Sequence, residues 1–205
     1  MFSRALVCPR LRWSSQTRTL FLMKWEEIDQ QVCSVARALS ILGERWTLLI
    51  IRDAFRGTRR FDAFQRSLGV TRHRLSERLR KLVDEGVLTR VAYMERPVRY
   101  EYRLTRKGLA LYPVLMTLSQ WGDDWLDDGN GPPEHYRHSR CGKITRSVLS
   151  CDQCGEALRP EEVSVQRGTI LTAYLEDLAE RGQDIPSDGE VARGAAQFWR
   201  DNGSE

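Results

Sequence analysis

Apolar residues recur along this chain with two different periods. Between residues 33 and 84 they return every three or four positions, which is the spacing of one face of an α-helix. Between residues 87 and 104 they return at nearly every second position, which is the spacing of one face of a β-strand. The pattern predicts a mainly α-helical fold in which a group of helices is followed by a β-hairpin.

The helical part divides into four segments, because short breaks that contain glycine interrupt it. The second segment is apolar on nearly every side, which is typical of a helix at the centre of a hydrophobic core. The third segment places Phe61, Phe64 and Leu68 inward. The predicted helices span residues 33–42, 46–55, 61–68 and 71–84.

The fourth predicted helix combines an apolar stripe with a basic outer face. Thr71 is a good N-cap residue. Leu75, Leu79 and Leu82 follow at spacings of four and three residues, so they share one face. Five Arg or Lys residues between positions 71 and 81 face a single acidic residue, Glu77. Such a helix can dock on a core and enter a DNA groove, although the pattern alone also fits a solvated surface helix.

The alternating part predicts two strands, at residues 87–93 and 98–104, joined by a turn that contains Pro97. Arg96 and Arg99 lie at the tip of this hairpin. A generic α+β hairpin is the alternative, but a helix-turn-helix followed by a hairpin in this order is typical of a winged helix-turn-helix. The arrangement indicates DNA binding.

A long amphipathic helix is predicted after the hairpin, from residue 109 to about residue 126. Its apolar stripe is larger than a small winged domain needs to cover itself, so we expect it to form a dimer interface with the first helix. The alternative is that the stripe packs back on its own domain. Its apolar positions are Leu111, Leu115, Leu118, Trp121, Trp125 and Leu126.

Six short motifs occur in a fixed order along these segments: CSV at 33–35, LGERWTLLI at 42–50, RRF at 59–61, LSERL at 75–79, RYEYRLT at 99–105 and WG at 121–122. In these motifs the chain resembles the HxlR family of bacterial winged helix-turn-helix regulators, which is part of the MarR-like superfamily. The family implies a non-catalytic homodimer on an imperfect DNA palindrome, associated with the nucleoid, that represses or activates transcription. Residues 71–84 would be the recognition helix and residues 87–104 the wing.

The expected DNA contacts lie on this helix and this wing. Arginine can pair bidentately with guanine, and other polar side chains reach base edges or phosphates. The wing arginines, Arg96 and Arg99, would contact phosphate or the minor groove. Arg59 and Arg60 would either touch the DNA backbone or be solvated. The candidate residues on the helix are Thr71, Arg72, His73, Arg74, Ser76, Glu77 and Arg80.

Cys33 stands where some members of this family carry a redox-reactive cysteine. A thiol near a dimer interface could change DNA affinity on oxidation, provided that it is exposed and its pKa is lowered. The alternative is that Cys33 is a small buried apolar residue.

An appendage follows a Gly- and Pro-rich linker at residues 129–133 and spans residues 134–160. It contains the same pattern twice: one candidate metal ligand, two further residues, a cysteine and a glycine. Three sulfurs and one imidazole suit tetrahedral Zn²⁺, so we expect a zinc-ribbon-like segment with one structural zinc ion. A redox-active cysteine pair, a ribbon that no longer binds metal, and His135 as the fourth ligand are the alternatives. The expected ligands are His138, Cys141, Cys151 and Cys154.

The two ends of the chain carry weaker signals. Residues 1–22 hold four Arg and no acidic residue, so they are either a disordered extension or precede a true start at Met23. Residues 23–130 would form the winged domain with its dimerisation helices. Residues 161–205 predict a helical or partly disordered tail, with helices at 169–181 and 190–200.

Composition limits the classes of function. With 205 residues, of which 41% are hydrophobic and 29% charged, the chain is typical of a globular protein with one good domain and an appendage. We expect no membrane association, because no apolar run approaches about 20 residues. Five cysteines, three of them in a metal-like spacing, indicate a reducing cytoplasm. The sequence contains no nucleophile–base arrangement and no phosphate-binding loop, which are the features that would suggest an enzyme. A non-catalytic protein-interaction module built around a zinc ribbon is the alternative to DNA binding.

Overall fold

The computed structural model describes residues 28–29, 31–182 and 185. The N-terminal extension at 1–22 and the second predicted tail helix at 190–200 therefore lie outside the described residues. The helices and strands are α1 Ser34–Leu42, α2 Thr47–Phe55, α3 Phe61–Leu68, α4 Arg72–Asp84, β1 Leu88–Glu95, β2 Val98–Leu104, α5 Arg106–Leu109, α6 Tyr112–Trp125 and α7 Thr169–Glu180.

The hydrophobic core is built around α2. Ile50 and Ile51 on this helix are completely buried, and α2 packs against α1, α3, α4, α6 and β2. This confirms the sequence-based prediction of a central apolar helix. The core also contains Phe64 of α3, Leu75 of α4 and Leu88 of β1. The core thus joins the helices and the start of the hairpin into one body.

The two strands form an antiparallel hairpin that turns at Arg96 and Pro97. The register is irregular between Ala92 and Met94, where a bulge interrupts the pairing. Helices with such a two-stranded hairpin agree with the predicted winged helix-turn-helix.

A short extended segment before α3 adds a further link to the hairpin, which the sequence did not indicate. Arg60 bridges to Glu101 in antiparallel fashion, and the amide of Tyr102 donates to the carbonyl oxygen of Arg59 at 2.8 Å. The connection between α2 and α3 is therefore tied to β2, which fixes the wing relative to the helix-turn-helix.

The predicted long helix from residue 109 to 126 is wrong at its start, because the structure divides it into α5 and α6. Pro113 lies in the first turn of α6, where it needs no amide hydrogen, but in a continuous helix its ring would clash with the carbonyl of Leu109. Thr105 caps α5 by accepting a hydrogen bond from the amide of Gly108 at 3.1 Å. A Cβ atom at Gly108 would lie 2.3 Å from the carbonyl oxygen of Val87, so only glycine lets α5 pack against the hairpin.

The chain after α5 has a different character. Within the described residues, no side chain beyond Gly108 is buried. Leu111 and Leu115 pack partly against the core, whereas Trp121 and Trp125, later on α6, are exposed. No helix among the described residues is long and apolar enough to cross a membrane.

Candidate nucleic-acid interface

The helix-turn-helix consists of α3, a three-residue turn and α4. Gly69 ends α3, and the buried Val70 anchors the turn to the core. Leu75, Leu79 and Leu82 are buried to within 1% of completely, which confirms the predicted inner face of α4. Thr71 occupies the N-cap position, but its side chain makes no capping hydrogen bond. The apolar stripe therefore sets the orientation of α4 and points its opposite face to solvent.

The predicted DNA-contact residues of α4 lie on this outer face. The side chains of Arg72 and His73 are 74% and 82% exposed. Glu77 is half-buried and lies 3.4 Å from His73, measured between Oε1 and Nε2. The remaining exposed candidates are Thr71, Arg74, Ser76 and Arg80.

Arg72 is held by α3 through two exposed contacts. Its Nη1 lies 3.8 Å from Oδ1 of Asp62, and its guanidinium lies 4.9 Å from the ring centroid of Phe61. An ion pair between exposed side chains contributes at most about 1 kcal/mol, so Arg72 can exchange Asp62 for another anion at little cost. With both contacts in place, the Arg72 side chain is still 74% exposed in the first turn of α4.

A cleft between the helix-turn-helix and the wing is lined by four arginines and one acid. Asp62 is the acid, and the guanidinium of Arg60 lies 4.7 Å from the ring centroid of Tyr93 on the wing. Such a concentration of positive charge suits a polyanion. The arginines are Arg60, Arg66, Arg72 and Arg99.

Arg66 was missed in the sequence analysis. A signal for it was present, because Arg66 follows the buried Phe64 by two positions and so lies on the opposite side of α3. The sequence alone leaves Arg60 open between a DNA contact and a solvated side chain, and the structure places it in the lining of the cleft. The wing candidates Arg96 and Arg99 are both exposed.

Tyr102 anchors the wing to the core. Its ring centroid lies 6.5 Å from that of Phe64 in an edge-on arrangement. Burial raises the pKa of the Tyr102 phenol above 10.0, and the positive charge of Arg90 partly opposes this shift. The wing base is therefore a partly desolvated contact, whereas its tip is open to solvent.

The remaining candidate residues lie away from this cleft in sequence. Cys33 is exposed in the single chain, at the N-cap of α1. The expected zinc ligands lie as pairs, with Cys141 Sγ 3.4 Å from His138 Nδ1. Hydrogen bonds from the amides of Cys154 and Gln153, and from the Cys154 side chain, lower the pKa of the Cys151 thiol. Across the described ranges, no three His, Cys, Asp or Glu side chains are already grouped to hold a metal ion.

Comparison with known proteins identifies the family. Residues 41–130 match the HxlR-like helix-turn-helix family. An uncharacterised HTH-type transcriptional regulator of Mycobacterium tuberculosis is 47% identical over 142 residues, which cover 69% of this chain and 90% of the relative. The regulator YvaP of Bacillus subtilis is 42% identical over 92 residues, 44% of this chain and 85% of YvaP.

A solved structure extends the likeness beyond the winged domain. The crystal structure of PA1607, described as a candidate transcription factor, superposes with a TM-score of 0.62 at 38% identity, and covers 68% of this chain and 98% of PA1607. Transcription regulators of this kind are generally not enzymes. The chain belongs to the HxlR-like helix-turn-helix family of transcriptional regulators.

Proposed function

We propose that this regulator binds double-stranded DNA sequence-specifically, as a homodimer on a palindromic operator in the bacterial cytoplasm. The observation that carries the proposal is the exposed basic face of α4 beside the arginine-lined cleft. The buried stripe of α4 fixes this face outward, so the helix can enter the major groove without unfolding. The wing then lies against the adjacent DNA backbone.

The N-terminal half of α4 supplies the residues closest to base edges. Arg72 can pair with O6 and N7 of guanine, and Glu77 can accept a hydrogen bond from N4 of cytosine. His73 and Ser76 add shorter-range contacts from the same face. Thr71, Arg74 and Arg80, with Arg96 and Arg99 of the wing, would hold phosphates, which fix the register without reading sequence.

Dimerisation would use the exposed apolar faces of α1 and α6, which both pack on α2. Val35 and Leu39 of α1 are 67% and 40% exposed. Trp121 and Trp125 of α6 are 52% and 74% exposed. Large aromatic side chains on an exposed helix face are typical of an interface centre. A two-fold dimer would present two copies of α4 to two half-sites, which explains why a palindrome is expected.

Replacement of Arg72 tests the reading role directly. We expect R72A to lose about 1–3 kcal/mol of specific binding and to accept other bases at one operator position. Binding-site selection followed by gel shift measures both effects. The matched control is R181A, because Arg181 is also an exposed arginine in an ion pair but lies at the C-cap of α7. An unchanged sequence preference in R72A would exclude the assigned role.

Replacement of Arg99 separates positioning from reading. We expect R99A to bind all sequences more weakly and to reduce the salt dependence of binding by about one phosphate contact. Titrations of specific and random DNA at several salt concentrations measure this. A change in sequence preference, with no change in the salt slope, would reassign Arg99 to base reading.

The alternative function, a protein-interaction module, has one observation in its favour. Ile144, Val148 and Leu149 of the appendage are 59–72% exposed, which is unusual for a segment that acts only as a spacer. A chain that ends at residue 130 distinguishes the two functions. We expect it to retain sequence-specific DNA binding, whereas loss of all DNA binding in the folded short chain would favour the alternative. Redox sensing by Cys33 stays a prediction.

A further inference from the structure

Two loops of the appendage form backbone hydrogen bonds in the same pattern. In the first loop, residues 137–144, the amide of His138 donates to the carbonyl of Lys143 at 2.9 Å, and the amide of Gly142 donates to that of His138 at 2.8 Å. In the second loop, residues 150–157, the amide of Cys151 donates to the carbonyl of Glu156 at 2.8 Å. The amide of Gly155 donates to the carbonyl of Cys151, also at 2.8 Å. We call these loops the first and second knuckle.

The likeness extends to the flanks of both knuckles. Thr145 donates to the carbonyl of Tyr136 at 2.8 Å, and Leu158 donates to that of Leu149 at 2.9 Å. Each residue of the second knuckle lies thirteen positions after its counterpart in the first. Gly142 and Gly155 have φ angles of +69° and +78°, a conformation that other residues adopt only with strain. Two separate loops thus have one geometry, which brings residue one and residue four of each pattern to the same side.

The first knuckle already has the spacing of two ligands on one cation. The distance from Cys141 Sγ to His138 Nδ1 is 3.4 Å. Two such ligands on a tetrahedral zinc ion, with bonds of about 2.3 Å to sulfur and about 2.0–2.1 Å to nitrogen, lie roughly 3.6 Å apart. In the second knuckle, Cys151 and Cys154 hold the same two positions.

We propose that one Zn²⁺ joins the two knuckles through His138, Cys141, Cys151 and Cys154. Three thiolates and one imidazole form a donor set that favours zinc over calcium or magnesium, which prefer oxygen. Each knuckle contributes one pair of ligands, and the cation would bind both pairs. Binding releases the thiol protons, and it involves no oxidation.

The segment between the knuckles shows what the metal would fix. Arg146 donates to Oδ1 of Asp124 on α6 at 2.6 Å. The amide and hydroxyl of Ser147 donate to Oε1 of Gln120, also on α6, at 3.0 and 2.9 Å. These contacts belong to a connector whose two ends are the knuckles. A zinc ion that joins both ends would hold the connector against α6, the helix with the exposed tryptophans.

Metal analysis of the full-length protein tests the proposal. The chain is purified under reducing conditions, reconstituted with Zn²⁺ and freed of excess metal, and its zinc is measured by mass spectrometry. We expect one zinc ion per chain, and Co²⁺ in its place should give the absorption spectrum of a tetrahedral thiolate site. Loss of a residue that only supports a metal ligand weakens binding by ~10–100-fold. C154S and H138Q each remove a direct ligand, so we expect both to weaken zinc binding by more than this. C33S is the matched control, because Cys33 is also an exposed cysteine but lies on α1.

Three outcomes would overturn the proposal. The wild-type protein without zinc after reconstitution excludes the site. Equal loss of zinc in C33S and C154S excludes these four residues as its ligands. A disulfide between Cys151 and Cys154 that persists in reductant, without zinc, would show a redox pair instead. A circular dichroism spectrum that is unchanged in C154S distinguishes loss of a ligand from loss of the fold. None of these readouts requires DNA binding, so the result stands apart from the regulatory function.

Discussion

Residues 34–108 and residues 109–182 are held together by different forces. Every fully buried side chain in the described part of the protein lies in the first region, around Ile50, Phe64 and Leu79. The second region contacts the first through apolar residues that are only partly buried, such as Leu115, through the ring contact of Tyr112 with Phe55, and through the ion pair of Glu134 with Arg56. The first region therefore has a hydrophobic core of its own, whereas the second region packs on the outside of that core.

The exposed apolar side chains of the second region are the physical reason for proposing that it has partners. Ordering a residue costs about 1–2 kcal/mol of backbone entropy, and the second region, whose apolar side chains are at most partly buried, offsets this cost less well than the first. A second copy of the chain can cover α6, and a metal ion can join the two knuckles. Both proposals in this second region answer the same physical requirement, whereas DNA binding uses the region that is already stable.

The largest expected effect is in the core of the first region. L79A removes a completely buried side chain and should lower the free energy of unfolding by about 2–5 kcal/mol. I144A removes an apolar side chain of the second region that is 59% exposed. It should change the free energy of unfolding by less than about 0.5 kcal/mol. Urea unfolding monitored by circular dichroism measures both. Equal losses would remove the distinction between the two regions.

The second-largest expected effect is on dimerisation through the exposed apolar surface of α6. W121A should weaken the dimer by about 2 kcal/mol or more, which is roughly a 30-fold rise in its dissociation constant. Sedimentation equilibrium measures this constant. Y174A on α7 is the control, because Tyr174 is exposed to a similar extent, 44% against 52% for Trp121. A wild-type protein that is monomeric at high concentration would contradict the proposed interface.

A smaller effect is expected within the second region, where the connector between the knuckles contacts the end of α6. Arg146 and Asp124 are 61% and 38% exposed, so their ion pair should contribute only about 0.2–1 kcal/mol. A double-mutant cycle with R146A and D124N measures the coupling energy. A coupling well above this range, in protein loaded with zinc, would show that the connector is more rigidly docked than its exposure indicates.

The smallest effect is a pH dependence in the first region. Burial raises the pKa of Tyr102 in the folded protein, so the unfolded chain loses this proton first as the pH rises through about 10. The contribution of Tyr102 to stability is therefore complete below about pH 10 and is lost above it. Y102F should lose less stability than the wild type between about pH 9 and 11, as measured by the urea midpoint. Identical slopes would show that Tyr102 is exposed in solution.

Much of the winged domain was predictable because its elements are short and locally encoded. The spacing of Leu75, Leu79 and Leu82 placed α4 and its inner face correctly, and the alternation from Val98 to Leu104 placed β2. The same reasoning predicted one helix across residues 109–112, because the apolar stripe continues there. It failed because Pro113 belongs to the first turn of a new helix. The cleft was only partly predictable, because Arg66 and Arg99 meet there from distant parts of the chain.

The sequence by itself determined the helix-turn-helix, the hairpin and the internal pattern of each knuckle, because each depends on residues within a few positions of one another. The tertiary structure decided which basic side chains line one cleft, and that Arg60 joins the edge of the wing. It also decided that the connector rests on α6 through Arg146 and Ser147. These contacts link residues far apart in the chain, and their formation depends on how the core orients each helix, which no local pattern records.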